Sequence, residues 1–145
     1  MKPISLVNQV DDFTCVYACI AMAAGVPIGE VIRAAGHQKP LPMYEELALL
    51  AHFGCFAIPI PYGLNAYDGI VLLTVPSLNK ERTLHRVLVD LRNDPLVLDP
   101  QQGRPGRQFY STEDYMERRM PWTEQCMVFR ADQVLTAFRE QVAVK

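Results

Sequence analysis

Over the first third of the chain, apolar residues recur at intervals of three and four positions, the spacing of an amphipathic helix. Thr14 stands where it can cap the first such segment, and Gly25 stands where it can end it. In the third segment, Leu47, Leu50 and Ala51 have helical spacing. The pattern predicts three short helices, over CVYACIAMAA (15–24), PIGEVIRAAG (27–36) and MYEELALLAHFG (43–54).

From residue 55 onward the pattern changes to short runs rich in Val, Ile and Leu, bounded by Pro, Gly or Asn-Asp, which is typical of β-strands. Helices first and strands afterwards favour an α+β fold, with a mainly antiparallel sheet packed against the N-terminal helices. Two later segments, STEDYMERR (111–119) and ADQVLTAFREQV (131–142), are predicted to be helices. The predicted strands are CFAIPI (55–60), GIVLLTV (69–75), LHRVLVDL (84–91), PLVLD (95–99) and QCMVF (125–129).

The length and composition exclude several classes of protein. The chain has 145 residues, of which 50% are hydrophobic and 21% charged, so we expect one globular domain over 1–145 with a real core. The net charge is −2 and no basic stripe is present, which argues against a nucleic-acid partner. The apolar runs are too short for a membrane span, and the N-terminus lacks the apolar region of a signal peptide. We therefore expect a cytoplasmic protein.

The four cysteines are candidates for chemistry rather than for cross-linking. Their spacing matches neither a secreted disulfide framework nor the tight ligand pairs of a zinc site, so reduced thiols are expected. No metal and no other cofactor is implied. The cysteines are Cys15, Cys19, Cys55 and Cys126.

Cys15 stands at the predicted start of a helix. The N–H groups and the dipole of a helix N-terminus favour a thiolate, which becomes a competent nucleophile when a histidine forms an ion pair with it. The alternative is a small buried apolar residue, which is the commonest environment of an unpaired cysteine. Cys19 lies one turn deeper on the same helix face and is expected in the core.

The segment around His85 and Asp99 is predicted to form a β-hairpin. The first strand runs to Asp90, and the chain turns at RNDP and returns as PLVLD. Counting residue pairs outward from the turn places His85 opposite residues near 101, which brings Asp99 within reach of the imidazole. A carboxylate there would fix the tautomer and favour the protonated imidazole. Asp90 is the other possible partner, although it lies at the far end of the strand. The structural alternatives are that His85 is only solvated and that Asp99 only forms the turn.

Gln9 precedes Cys15 by six residues. Its side-chain amide could donate a hydrogen bond to a developing oxyanion, as could the backbone N–H of Cys15. Taken alone, a glutamine in a loop carries no such implication.

Taken together, these motifs resemble the papain-like cysteine peptidases, and most closely the bacterial double-glycine leader peptidases that process bacteriocin precursors, with their free-standing relatives. That branch reads Q-x5-C-G-x-A-C-L-x-M over its nucleophile helix, where this chain has QVDDFTCVYACIAM. It continues with H-W-V-V-V, a turn and V-x-D-P-x-x-G, where this chain has HRVLVDLRNDPLVLDPQQG. The matches fall at Gln9, Cys15, Ala18, Cys19, Met22, His85, Val87, Val89, Val97, Asp99, Pro100 and Gly103.

The resemblance implies a papain-like fold and a cysteine peptidase. It implies Cys15 as the nucleophile, His85 as its partner, Asp99 as the residue that orients His85, and Gln9 in the oxyanion hole. The substrate would be a peptide or isopeptide amide with small residues, glycine first, before the cleaved bond. Three positions depart from the branch: Thr14 replaces Asp, Val16 replaces Gly and Arg86 replaces Trp. The side chain of Val16 would narrow the substrate cleft, and Arg86 would open or charge one wall of the site.

Two other functions fit the same residues. The site could transfer the acyl group to an amine or deamidate a glutamine, or the chain could be an inactive peptide-binding module. The remaining candidates are structural: Cys55 and Cys126 are expected to pack in strands, and His37 and His52 have no acidic partner that the sequence locates. Trp122 is either part of the core or a wall of the cleft.

Overall fold

The computed structural model describes residues 4–60, 68–76, 84–92, 94–101, 109–110, 125–130 and 139. The predicted helix at 111–119, Trp122 and all but residue 139 of the predicted helix at 131–142 lie outside the described residues. The described elements are α1 (Cys15–Ala24), α2 (Ile28–Ala35), α3 (Met43–His52), β1 (Cys55–Pro59), β2 (Ile70–Pro76), β3 (Leu84–Asp90), β4 (Leu96–Leu98), β5 (Phe109–Tyr110) and β6 (Gln125–Arg130).

The strands form one sheet in the order β1-β6-β2-β3-β4-β5, and every described pairing is antiparallel. The helices therefore precede an antiparallel sheet, and the predicted α+β class is confirmed. The short strand β5 was not predicted, because two residues are too few to show a period of two.

The core lies between the helices and one face of the sheet. Helix α1 is apolar on all sides, and its residues 17–24 are buried, as expected for a helix enclosed by the rest of the domain. Leu72 of β2 and Leu88 of β3 belong to the same apolar cluster as α1. Their neighbours Val71 and Val87 point to the opposite face and join a second buried cluster. Burial on both faces explains why these strands read as continuous apolar runs rather than alternating ones.

Helix α3 turns a different face inward from the one its leucine spacing indicates. Leu47 is only partly buried and Ala51 is exposed, whereas Leu49 and Leu50 are buried together with Glu46. Glu46 takes the inward position because it binds a buried arginine, Arg86 of β3. A burial prediction that ranks residues by hydrophobicity alone cannot find this rotation.

No single helix in the described part of the chain is long and apolar enough to cross a membrane. Helices α1 and α2 would pass that test only as a pair, across a bend of 115°.

Candidate active site

The strands β3 and β4 bring His85 and Asp99 together. Leu88 pairs with Leu98 and Val89 with Val97, so the register extends to His85 opposite residue 101, as predicted. The imidazole Nε2 of His85 lies 2.6 Å from Oδ1 of Asp99, and both side chains are buried. The same Oδ1 accepts a hydrogen bond of 2.9 Å from the backbone N–H of Gln101, which fixes the carboxylate.

The start of α1 supplies the third member of the cluster. Cys15 is half-buried at the first position of the helix and hydrogen-bonds the side chain of His85. Because Nε2 of His85 is engaged by Asp99, the ring nitrogen that remains for Cys15 is Nδ1. The three side chains therefore form a continuous series from carboxylate to imidazole to thiol.

The electrostatics of this series favour an ion pair. Burial raises the pKa of the Cys15 thiol, but the hydrogen bond and charge of His85 outweigh it, with help from the backbone N–H groups of Arg86 and Val16, so the pKa is lowered overall. Burial also disfavours the charged form of His85, yet its contacts with Asp99 and Cys15 raise its pKa to about 9. Both shifts favour the thiolate–imidazolium form of the pair over the neutral form.

The first turn of α1 keeps its N–H groups available to this thiolate. Thr14 occupies the N-cap position, as predicted, but its side chain makes no capping hydrogen bond to the helix. Its Oγ1 instead accepts from the backbone N–H groups of Val10, at 2.9 Å, and Asp11, at 3.1 Å. Thr14 therefore stabilises the preceding loop, and the positive end of the helix dipole faces the sulfur of Cys15 without a competing side chain.

The other three cysteines are buried. Cys19 is fully enclosed, its thiol donates to the carbonyl of Arg86 at 3.4 Å, and burial raises its pKa well above the usual range. Burial raises the pKa of Cys126 to about 11, despite the opposing charge of Arg86. Cys55, the first residue of β1, is also buried. All four cysteines of the chain lie in described residues, and none forms a disulfide.

Gln9 lies in the loop before α1 and is tied to the loop that follows Asp99. Its backbone N–H donates to the carbonyl of Pro100 at 2.8 Å. Its side-chain Nε2 donates to the carbonyl of Asp11 at 2.7 Å, so the amide is held within its own loop rather than against Cys15 or His85. Among the described residues, its Oε1 is buried with no hydrogen-bond partner. A buried acceptor of this kind indicates a place where water or a ligand completes the hydrogen bonding.

Two openings border these residues. A pocket of about 150 Å³ is lined by Cys15, His85 and the departing residue Val16, with Arg86 and Glu46 among its other walls. A wider depression of about 430 Å³ lies on the Gln9 side. It is lined by Asn8, Gln9, Val10, Asp11, Asp12, Pro100 and Gln101. Cys15 borders the first opening and Gln9 the second, and the two share no lining residue.

Two residues differ from the sequence expectation. Arg86, expected to charge or open one wall of the site, is neutralised by Glu46. His37, for which the sequence locates no acidic partner, has one in the structure: its Nε2 lies 3.1 Å from Oε2 of Glu45. The two residues are eight positions apart across a loop, a separation that no helical or strand period signals. His52 contacts the ring of Phe53 at the end of α3.

Among the described residues, no group of three or more His, Cys, Asp or Glu side chains is arranged to hold a metal ion. The cluster of Cys15, His85 and Asp99 instead has the composition of a nucleophile, a base and an orienting carboxylate.

The fold is shared with peptidase domains of known structure. The peptidase domain of Streptococcus ComA, a bi-functional ABC transporter involved in quorum sensing, matches with a TM-score of 0.60 at 17% identity, over 88% of this chain and 97% of that one. A double glycine motif protease from an AMS/PCAT transporter, in complex with the leader peptide, matches with a TM-score of 0.60 at 14% identity, over 88% and 90%. No protein-family model and no curated protein matches the chain. The chain therefore has the fold of these peptidase domains, as the resemblance implied.

Proposed function

We propose that this chain is a cysteine peptidase that cleaves a peptide or isopeptide bond. The observation that carries the proposal is the hydrogen-bonded series Asp99–His85–Cys15, in which the pKa of the thiol is lowered and that of the imidazole is raised to about 9. Such a pair combines a thiol whose ionisation is favoured with an acid able to protonate a leaving amine. The shared peptidase-domain fold supports the same reading.

The reaction begins when the Cys15 thiolate attacks the carbonyl carbon of the scissile amide. The π electrons of the C=O bond then move to the carbonyl oxygen. The imidazolium of His85 then gives its proton to the amine, the carbon–nitrogen bond breaks, and a thioester remains on Cys15. Neutral His85 next accepts a proton from water as the water attacks the thioester. The acid product leaves, and the thiolate–imidazolium pair is restored.

The oxyanion formed in both steps needs hydrogen-bond donors. The backbone N–H of Cys15, at the uncapped start of α1, is the first. The second is proposed to be the side-chain amide of Gln9, which must turn from its bond with Asp11 towards Cys15 when substrate binds. The bond between Gln9 and Pro100 supports this assignment, because it fixes the glutamine relative to the loop that carries Asp99.

The substrate is proposed to be a peptide with small residues, glycine first, before the cleaved bond. The pocket beside Cys15 is narrow, at about 150 Å³, and Val16 forms part of its wall. The structural neighbour in complex with a leader peptide supports an extended peptide ligand. From the resemblance to the bacterial double-glycine peptidases, we further propose that the activity belongs to the cytoplasm of a bacterial cell.

The test is cleavage of a peptide library rich in Gly-Gly and Gly-Ala segments, read by mass spectrometry, with Cys15→Ala and Cys19→Ala as a matched pair. We expect cleavage by the wild type and by Cys19→Ala, and none by Cys15→Ala. An added amine that captures the acyl group in place of water would identify a transferase instead. If the wild type binds peptides but cuts none, while Cys15 is reduced and alkylatable, the peptidase proposal is wrong.

A further inference from the structure

A buried ion pair that takes no part in the proposed reaction lies directly behind the candidate nucleophile. Arg86 and Glu46 are each only 3% exposed. Nε and Nη2 of Arg86 donate to Oε1 of Glu46 at 3.1 and 2.9 Å. Nη1 donates to Oγ1 of Thr74 at 2.8 Å, and Nη2 also reaches Sγ of Cys126 at 3.5 Å. Charged groups are rarely buried this completely unless their geometry is well satisfied.

The main chain of Arg86 contacts the sulfur atoms of both cysteines in α1. Its backbone N–H donates to the sulfur of Cys15, and its carbonyl accepts the thiol of Cys19 at 3.4 Å. Arg86 also follows His85 directly in β3. The position of this one residue therefore fixes where the start of β3, and with it the imidazole, lies relative to α1.

The side chain of Arg86 anchors that position from three directions. Arg86 pairs with Thr74 across β2 and β3, so the guanidinium is directed along the sheet face that packs against the helices. There it binds Glu46 of α3 and reaches Cys126 of β6. A displaced β3 would leave a buried charge without its partner, which is far more costly than the loss of an apolar contact.

We propose that the Arg86–Glu46 pair is a positioning element that holds the start of β3 against α1 and α3 and thereby sets the contact between His85 and Cys15. This inference rests on the proposed function, because it assigns the pair a task within that site. Arg86 and Glu46 also line the pocket beside Cys15, so a readout that needs no peptide is required to separate positioning from substrate contact. The effect of the pair is transmitted through the main chain of residue 86.

The experiment replaces both members with apolar residues of similar size, Arg86→Met with Glu46→Leu, which removes the anchor without leaving an unpaired charge. A matched control, Arg92→Met with Asp90→Leu, removes an ion pair of similar length, 2.9 Å, from the opposite end of β3. The readout is the rate of Cys15 alkylation by iodoacetamide from pH 5 to pH 10, with the melting temperature measured in parallel. This rate reports the thiolate directly and requires no peptide substrate.

We expect the wild type and the control to alkylate readily on the acid side of an ordinary thiol's pKa of about 8.5. The Arg86/Glu46 double variant should stay folded, with its alkylation rate at pH 6 reduced by about tenfold or more as the pKa of Cys15 moves towards the ordinary value. A folded double variant with the wild-type profile would overturn the inference, since the pair would then serve only stability.

Two single variants decide the matter if the double variant does not fold. Arg86→Lys keeps the charge but has one ammonium group in place of the planar guanidinium, and Glu46→Gln keeps the shape. Each should lower the alkylation rate at pH 6 in a folded protein, and wild-type profiles in both would overturn the inference. A failure of the proposed function looks different: the wild type itself would show an ordinary thiol profile, or would cut no peptide although its profile is shifted.

Discussion

The backbone N–H of Gln9 donates to the carbonyl of Pro100 at 2.8 Å. This bond joins the loop before the candidate nucleophile to the residue after the candidate orienting carboxylate, although the two are some 90 positions apart in the chain. It couples the helical and the sheet side of the site at a point where neither has regular secondary structure.

Replacing Cys15 by alanine should abolish peptide turnover and leave the melting temperature nearly unchanged, because it removes the nucleophile and little buried volume. Replacing Cys19 should do the reverse, with activity retained and the free energy of unfolding lowered by about 1 kcal/mol, since a small enclosed side chain and its bond to the Arg86 carbonyl are lost. Turnover assays and thermal melts on both variants test this. An inactive but folded Cys19→Ala, with an active Cys15→Ala, would mean that the nucleophile is the wrong cysteine.

The pH dependence of alkylation and of turnover should differ at the alkaline end. Alkylation needs only the thiolate, so it should begin below pH 8.5, at the lowered pKa of Cys15, and persist to high pH. Turnover also needs protonated His85, so it should decline as the pH rises through about 9. In His85→Ala the lowering influence is lost and burial still raises the pKa of Cys15, so the acid-side alkylation should disappear. Identical alkylation profiles for wild type and His85→Ala would remove the case for the ion pair.

Replacing Asp99 by asparagine should lower kcat less than His85→Ala does, for which a loss of about 10²–10⁴ is typical of general acid–base groups. The imidazole is still present, but it loses the carboxylate whose hydrogen bond and charge raise its pKa. The pH at which turnover declines on the alkaline side should therefore move below about 9. Asp90→Asn, at the other end of β3, is the control and should leave that pH unchanged. If turnover by Asp99→Asn declines at the same pH as turnover by the wild type, the elevated pKa of His85 has another cause.

Replacing Gln9 by alanine should lower kcat by about 10²–10³, the loss associated with one oxyanion donor. The alkylation of Cys15 should hardly change, because that reaction forms no tetrahedral oxyanion. Gln38→Ala is the matched control, since Gln38 also donates to Asp11, at 3.2 Å to Oδ2, and lies outside the proposed oxyanion hole. Equal turnover by Gln9→Ala and the wild type would exclude the oxyanion role, and equal losses in both variants would point to the loop as a whole.

Local patterns in the sequence were sufficient for most of the fold. The three helices were predicted to within a few residues, because their ends are marked by glycine and their apolar spacing is regular. The hairpin register followed from the position of its turn, which is why the proximity of His85 and Asp99 could be predicted from a count of residues. The roles of these residues rested on the family resemblance, since no local pattern specifies catalysis.

What escaped prediction depends on long-range pairing of charges. Glu46 and Arg86 are separated by 40 positions, and neither looks like a core residue until the other is known to be its partner. The same holds for His37 and Glu45, whose contact depends on the path of an irregular loop. Thr14 takes the predicted N-cap position, but its hydroxyl binds the loop and not the helix, because the loop offers it two donors.

The distribution of acidity among the four thiols makes the protein selectively sensitive to oxidants. Peroxide reacts with thiolates, and Cys15 has a lowered pKa, whereas burial raises that of Cys19 and of Cys126, and Cys55 is enclosed. Brief peroxide exposure should therefore add one oxygen atom, at Cys15, and form a sulfenic acid. Cys19 is poorly suited to resolve it as a disulfide, because its thiol is buried and bonded to a carbonyl. The oxidised protein should persist as one inactive species that dithiothreitol restores to activity.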